Sequence, residues 1–227
     1  MFMTKIGPYK RALMEAEAQA GATRVERDGM VIHEYPDYET YRAVQTAGNK
    51  AKLKMQFVKE SHVKALAAHL TATLGPVRFG LCHGTRKGLE QAWFTQHLGG
   101  VEVIGTEISD TASQFPQTVQ WDFHDENPDW AGRADFVYSN SWDHAFDPVK
   151  AFSAWMGQLR PGGLLLLDYT RGQSPAEANA LDPFGITWPG LAALLGRELT
   201  AFGVLQPPLD LRDNPDYAAL VAVMRRI

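Results

Sequence analysis

Three features in the middle of the chain have side chains and spacing suited to holding a nucleotide-type ligand. The stretch GLCHGTRKG places Gly84 and Gly88 where a strand gives way to a helix. Glycines there permit a tight turn or close backbone approach, and the free N–H groups of the following helix favour an anion. Further on, Glu107 ends the apolar run VEVIGTE, about 20 residues beyond the loop, where a carboxylate can accept hydrogen bonds from ribose hydroxyls. Asp122, in QWDFHD, closes the next short run and can bond an adenine amino group while Phe123 or Trp121 packs on the ring. Either carboxylate alone reads equally well as a solvated loop charge. The argument rests on their order, each at the carboxyl end of a strand, where open parallel sheets bind ligands.

The elements that must position these residues follow from periodicity. From the Gly75-Pro76 boundary onward, VRFGLC, VEVIGTE, TVQWD, ADFVYSN and GGLLLLDY read as short strands, with the helical stretches LEQAWFTQHL and VKAFSAWMGQLR between them. Such alternation specifies a parallel sheet with helices on both faces. The end of the chain differs. A short helix over residues 189–197 precedes ELTAFGVLQPPLDL and YAALVAVMRRI, two apolar runs joined by RDNPD, which predict a closing antiparallel pair. Before the boundary, residues 8–20 predict a helix stopped by Gly21, Asp28-Gly29 a turn or hairpin, and residues 51–70 an amphipathic helix carrying Leu53, Phe57, Val63, Leu66 and Leu70. The expected organisation is a segment over residues 1–74, part of the same unit and capping it, and a core over residues 75–227.

Composition narrows the function classes. The 227 residues, 45% hydrophobic, suffice for one well-buried core. A formal charge of −4 gives no general attraction to nucleic acid or anionic membranes, so neither is an expected partner. A single cysteine, Cys82, excludes an internal disulfide framework and cannot by itself build a zinc site. No metal is expected, and a reducing, cytoplasmic setting is. The sequence holds no apolar stretch approaching the roughly 20 residues a membrane span needs, and its first residues do not resemble a secretion signal.

Over residues 75–227 the sequence resembles the class I S-adenosylmethionine-dependent methyltransferases. The resemblance is carried by ADFVYSNSWDHAFDPVKAFSAWMGQLRPGGLLLLDY. A strand ending at Ser139-Asn140 is followed by Asp143-His144, Asp147-Pro148 opening a helix, and Leu159-Arg160-Pro161-Gly162-Gly163 leading into a buried strand. The first motif departs from the family's pattern, with Gly80 at the acidic position, Cys82 at one glycine position and Arg86 at another, while Gly84 and Thr85 match. The resemblance implies an α/β fold: three-layer, doubly wound, with a mostly parallel seven-stranded sheet, an antiparallel last strand and an N-terminal helical addition. It implies S-adenosyl-L-methionine as cofactor, with S-adenosyl-L-homocysteine as product. Its contacts would come from Cys82, His83, Gly84, Thr85 and Arg86, from Glu107 and Ile108, from Asp122 and Phe123, and from Asn140 and Ser141. Arg86 or Lys87 would pair with the methionine carboxylate.

Methyl transfer from a sulfonium needs positioning more than side-chain chemistry. If the acceptor is a hydroxyl or an amine, His144 beside Asp143 is the first candidate for a general base and His83 the second. Acceptor recognition in the family falls to the N-terminal addition and to loops after the fourth and fifth strands. That points to Tyr38, Tyr41, Gln45, Asn49 and Lys50, and to Tyr169 with Trp188. Lys50, Lys52, Lys54 and Lys59 read as a solvated helix face, or as a cluster favouring an anionic small molecule. The expected partner is a small-molecule acceptor, and a homodimer is allowed. Two other readings stand beside this one: a non-catalytic member that binds the cofactor or a protein partner, motivated by the altered first motif, and a nicotinamide-dependent oxidoreductase, which lacks its G-x-G-x-x-G.

Overall fold

The computed structural model describes residues 7–227. The first helix, α1 (Pro8–Ala20), stops at Gly21, whose φ of 52° only glycine adopts without cost. Strands β1 (Thr23–Arg27) and β2 (Met30–Glu34) then form a hairpin closed by Asp28 and Gly29 at φ 52° and 75°, the left-handed pair that two-residue hairpin turns require. Helix α2 (Tyr38–Ala51) begins at Asp37, whose side chain accepts from the Thr40 N–H at 2.7 Å. Helix α3 (Glu60–Leu74) follows.

The expected helix over residues 51–70 is therefore corrected: α2 ends at Ala51, and residues 52–59 cross as a loop before α3. The Lys52 N–H closes α2 onto Gly48 and Asn49, the Lys52 side chain turns inward, and Phe57 is 44% exposed with the Arg86 guanidinium over its ring, so Leu53 and Phe57 share no helical face with Val63, Leu66 and Leu70.

The core alternates as read: β3 (Phe79–His83), α4 (Leu89–His97), β4 (Glu102–Glu107), β5 (Thr118–Gln120), β6 (Ala134–Ser139), α5 (Pro148–Gln158) and β7 (Leu159–Tyr169). Strands β8 (Phe184–Ile186), β9 (Gly203–Leu205), β10 (Leu209–Leu211) and β11 (Ala219–Arg226) complete the chain, with α6 (Trp188–Glu198) between β8 and β9. The main sheet runs β10-β11-β7-β6-β3-β4-β5, with β9 also on β11. Strands β3 to β7 are mutually parallel, and β11 is antiparallel to β7. Every residue of β3 and β6 is buried, as central parallel strands demand. Alternation along β7 sends Leu164 and Leu166 toward α3 and α4, and Leu165 and Leu167 toward α5 and α6, which makes three layers.

Two details differ from expectation. The sheet keeps its seven positions, but Pro207-Pro208, which have no N–H to donate, split the penultimate strand into β9 and β10, both paired to β11. The N-terminal addition is not wholly helical: β2 pairs with β8, so the hairpin and a strand from beyond β7 make a second, three-stranded antiparallel sheet. Among the described residues no helix is long and apolar enough to cross a membrane.

Candidate functional site

Strand order reverses at β3, which has β4 on one side and β6 on the other, so the crevice beyond the carboxyl ends of β3 and β6 is where a doubly wound sheet binds its ligand. The loop leaving β3 fills that crevice. Gly84, Arg86 and Gly88 have φ of 75°, 43° and 72°, and the Gly84 and Thr85 N–H groups both donate to the Thr106 carbonyl at 3.0 Å. A Cβ on Gly84 would lie 2.8 Å from the Ser141 Cβ, so a glycine is needed for the loops after β3 and β6 to touch. The Ser141 hydroxyl donates to the Gly84 carbonyl at 3.2 Å. At Gly80 a Cβ would run into the Phe136 ring, which leaves no room for the acidic side chain expected there in the family. Arg86 takes a glycine-like backbone while projecting a guanidinium 5.2 Å from the Phe57 ring; its Nε is buried without a partner, and among the described residues no carboxylate reaches ion-pair distance. Burial lowers its pKa, against the pull of Glu107 and Glu90.

Glu107 ends β4 buried, and accepts from the Ser109 N–H at 3.1 Å. Burial raises its pKa despite that bond and the nearby Arg86 charge. Asp122 lies in the turn after β5. One oxygen accepts from the His124 N–H at 2.9 Å and the His124 ring at 2.7 Å, and the other from the Tyr38 hydroxyl at 2.8 Å. Burial would raise the Asp122 pKa, but these bonds and the His124 charge outweigh it and hold the carboxyl below its ordinary value. Helix α2 roofs the space between them. Tyr41, Gln45 and Asn49, one turn apart, present one face to a cavity of about 40 Å³ whose floor includes Gly84, Glu107, Ile108 and Phe123. Tyr41 donates to the His144 carbonyl at 3.2 Å, and Asn49 accepts from the Thr111 hydroxyl at 2.8 Å.

A second cavity of about 250 Å³ adjoins the first through Arg86, Ser141, His144 and Lys52. His144 Nδ1 lies 2.7 Å from Gln45 Oε1, and because the Gln45 amide N–H donates to the Leu181 carbonyl, the imidazole must donate there. Burial, then the Lys52 charge, push His144 down to about 4, which leaves Nε2 unprotonated near neutral pH. Its 3.3 Å separation from Asp182 Oδ1 is long for a charge-assisted bond and agrees with that state. Asp143 is buried with one oxygen unpartnered, and burial together with Asp182 raises its pKa well above the carboxylate range.

The residues proposed from sequence sort by place. Gly84, Arg86, Glu107, Ile108, Asp122, Phe123, Ser141, Tyr41 and Asn49 line the first cavity, Asn140 lines the second, and Tyr38 stands at the rim of the first on Asp122. Others line neither, Lys87 and Trp188 among them. Cys82 points into the core beside Phe94 and Tyr138, and burial raises its thiol pKa. His83 is corrected as a base or contact: it is 1% exposed, stacks on Trp155, and has both ring nitrogens bonded, to Thr106 and Gln158. Thr85 lies buried beneath the loop against Gly105. Lys50 points outward to Asp110 at 2.8 Å. Tyr169 packs between Trp142 and Trp188 and donates to the Ile186 carbonyl.

Sequence reasoning missed His124, Asp182 and the inward turn of Lys52. Only His124 carried a signal, an imidazole two residues after the acid it bonds. Among the described residues no group of three or more His, Cys, Asp or Glu side chains is arranged to hold a metal ion.

No protein-family model matches the chain, and no curated protein sequence does. Solved structures match its fold. The Burkholderia thailandensis 1,6-didemethyltoxoflavin-N1-methyltransferase, solved with 1,6-didemethyltoxoflavin and S-adenosylhomocysteine, aligns over 90% of this chain and 99% of its own at 18% identity and a TM-score of 0.63. The N-methyltransferase NodS from Bradyrhizobium japonicum WM9, in complex with S-adenosylhomocysteine, aligns over 80% and 98% at 14% identity and 0.57. A geranyl diphosphate methyltransferase in complex with S-adenosylmethionine aligns over 78% and 95% at 15% identity and 0.55. The doubly wound sheet with its antiparallel strand β11 is thus the fold of the class I S-adenosylmethionine-dependent methyltransferases.

Proposed function

We propose that this chain is an S-adenosylmethionine-dependent methyltransferase acting on a small molecule, with the cofactor held in the first cavity. The observation that carries the reading is convergence: a glycine turn, a buried acid and a second acid, from the ends of β3, β4 and β5, face one cavity at the switch point of the sheet. The residues present fit the cofactor. Glu107, buried with its pKa raised, gains from ribose hydroxyl donors. Asp122 keeps lone pairs for an adenine amino group beside Phe123. Arg86, whose Nε has no partner, would take the methionine carboxylate near Ser141 and Asn140. Three of the structural neighbours were solved with S-adenosylmethionine or its demethylated product, which supports the same cofactor here.

When bound, the cofactor supplies a methyl group already activated on a sulfonium. The chain's part is to orient the acceptor and exclude water. Gln45 fixes the His144 tautomer, so that Nε2 can take the proton an oxygen or nitrogen acceptor releases as its new bond to carbon forms. Such a proton is more acidic than in the free acceptor, so a weakly basic imidazole suffices. Isothermal titration with S-adenosylmethionine, S-adenosylhomocysteine and NADH is the test. Micromolar binding of the first two without NADH is expected, with affinity lowered at least tenfold in Glu107→Ala and in Asp122→Ala. Unchanged affinity in both variants overturns the site assignment. The altered first motif, with Arg86 and Cys82 at glycine positions, motivates a second reading, a non-catalytic member of the fold, which predicts cofactor binding or complex formation without turnover.

A further inference from the structure

Lys52 is an expensive residue where it stands. Its side chain is 3% exposed, and its ion-pair partner is Asp182 Oδ1 at 3.6 Å, longer than a well-formed charge-assisted bond. Asp182 is also shared: its other oxygen, Oδ2, accepts from the Tyr9 hydroxyl at 3.1 Å and the Asn179 amide at 3.2 Å. Arg86, on the same cavity, pairs with no carboxylate among the described residues. The other acids on the cavity do not compensate. Burial and then the Asp182 charge raise the Asp143 pKa well above the carboxylate range, and Glu177 at the rim accepts from Arg171 at 2.8 Å. At its inner end the cavity of about 250 Å³ therefore sets Lys52 and Arg86 against Asp182, with Glu177 at the rim turned outward to Arg171.

We propose that this second cavity is the acceptor site and that it selects a small organic acid, whose carboxylate is drawn between Lys52 and Arg86 while its nucleophilic atom faces His144. The inference rests on the cofactor reading above. The methionine carboxylate can answer one of the two cations. The cofactor brings a sulfonium and an amino group with it, so loading the first cavity leaves the surplus of positive charge in place. A cationic acceptor would be repelled by it, and a neutral one would leave Lys52 buried without a full partner.

The test uses the full chain saturated with S-adenosylhomocysteine and paired probes of matched shape: benzoate against benzamide and benzylamine, and malonate against malonamide, followed by isothermal titration and ligand-observed NMR. At least one carboxylate is expected to bind ten-fold or more tightly than its amide, benzylamine is expected not to bind, and Lys52→Met should weaken the carboxylate at least tenfold relative to its amide, with S-adenosylhomocysteine affinity of the same variant measured alongside. Amides or the amine binding as well as the acids would overturn the inference, as would carboxylate affinity unchanged in Lys52→Met. Should that variant fail to fold, the probe comparison on the unaltered chain decides. Failure of S-adenosylhomocysteine to bind the unaltered chain is a separate result and sinks the cofactor reading itself.

Discussion

Arg86 joins two requirements that a glycine in its place would separate. Its φ of 43° costs a residue with a side chain about 1–2 kcal/mol, yet the guanidinium it carries faces both cavities. Arg86→Gly relieves the strain but adds the backbone freedom of glycine to the unfolded chain, so its thermal midpoint should stay within about 3 °C of the parent. Affinity for S-adenosylhomocysteine should nevertheless fall tenfold or more, by loss of a charge-assisted bond. A midpoint well below the parent would mean the arginine side chain is structural, and retained affinity would remove it from the site. Residues of this kind were unevenly legible. Glu107 and Asp122 could be read because their distance from the glycine turn is set by one strand–helix–strand unit. The Arg86 mismatch was visible as a missing glycine, but not that the backbone keeps glycine's conformation. His144 was a candidate by position, while its contact with Gln45 spans 99 residues and depends on where α2 lands. Lys52 spells the same in a solvated helix and in a buried ion pair, so only the fold could distinguish them.

At the scale of elements, α2 and the residue that caps it carry most of the N-terminal segment's bonds to the site: Tyr38 on Asp122, Asn49 on Thr111 and Lys50 on Asp110 from the helix, and Lys52 on Asp182 just beyond it. Asp182, in the loop between β7 and β8, also receives Tyr9 from α1, so one carboxylate ties two helices to the core. Asp182→Ala strands a buried ammonium and is expected to cost about 3–5 kcal/mol in chemical denaturation. Adding Lys52→Met should return part of that loss. Equal losses in the single and double variants would show that the cost lies in packing and not in the stranded charge. The strands of the parallel core were legible because buried runs and glycine-rich turns alternate. Strand β8 was not, since its three residues sit in a loop-rich stretch and pair with β2, about 150 residues earlier, while the run carrying β9 and β10 was read as a single strand.

For the whole molecule, buried titratable groups couple stability to pH with opposite signs. Burial raises Glu90 to about 7, opposed by the Gln56 bond and by Arg86. Against an ordinary value near 4.5, the folded state binds more protons in between, so the stability Glu90 contributes is complete below pH 4.5 and is lost as pH rises through 7. His83, pushed down to about 4, works the other way, since the unfolded chain binds protons first as pH falls below 6.5. The two trends overlap, so a difference curve is needed. Glu90→Gln should match the parent near pH 5 and exceed it by about 2–3 kcal/mol at pH 8.5; parallel curves would mean that Glu90 is not buried as described. The second sheet has a consequence for how the chain is made. The β1–β2 hairpin leaves the ribosome long before β8, and at common synthesis rates the roughly 150 residues between Glu34 and Phe184 take about 8–30 s. Throughout that time Met30, Val31 and Ile32, all buried in the finished protein, lack their partner strand on the nascent chain. A chaperone that shields short apolar hairpins, or a pause before residue 184, is therefore expected to change the yield of this protein.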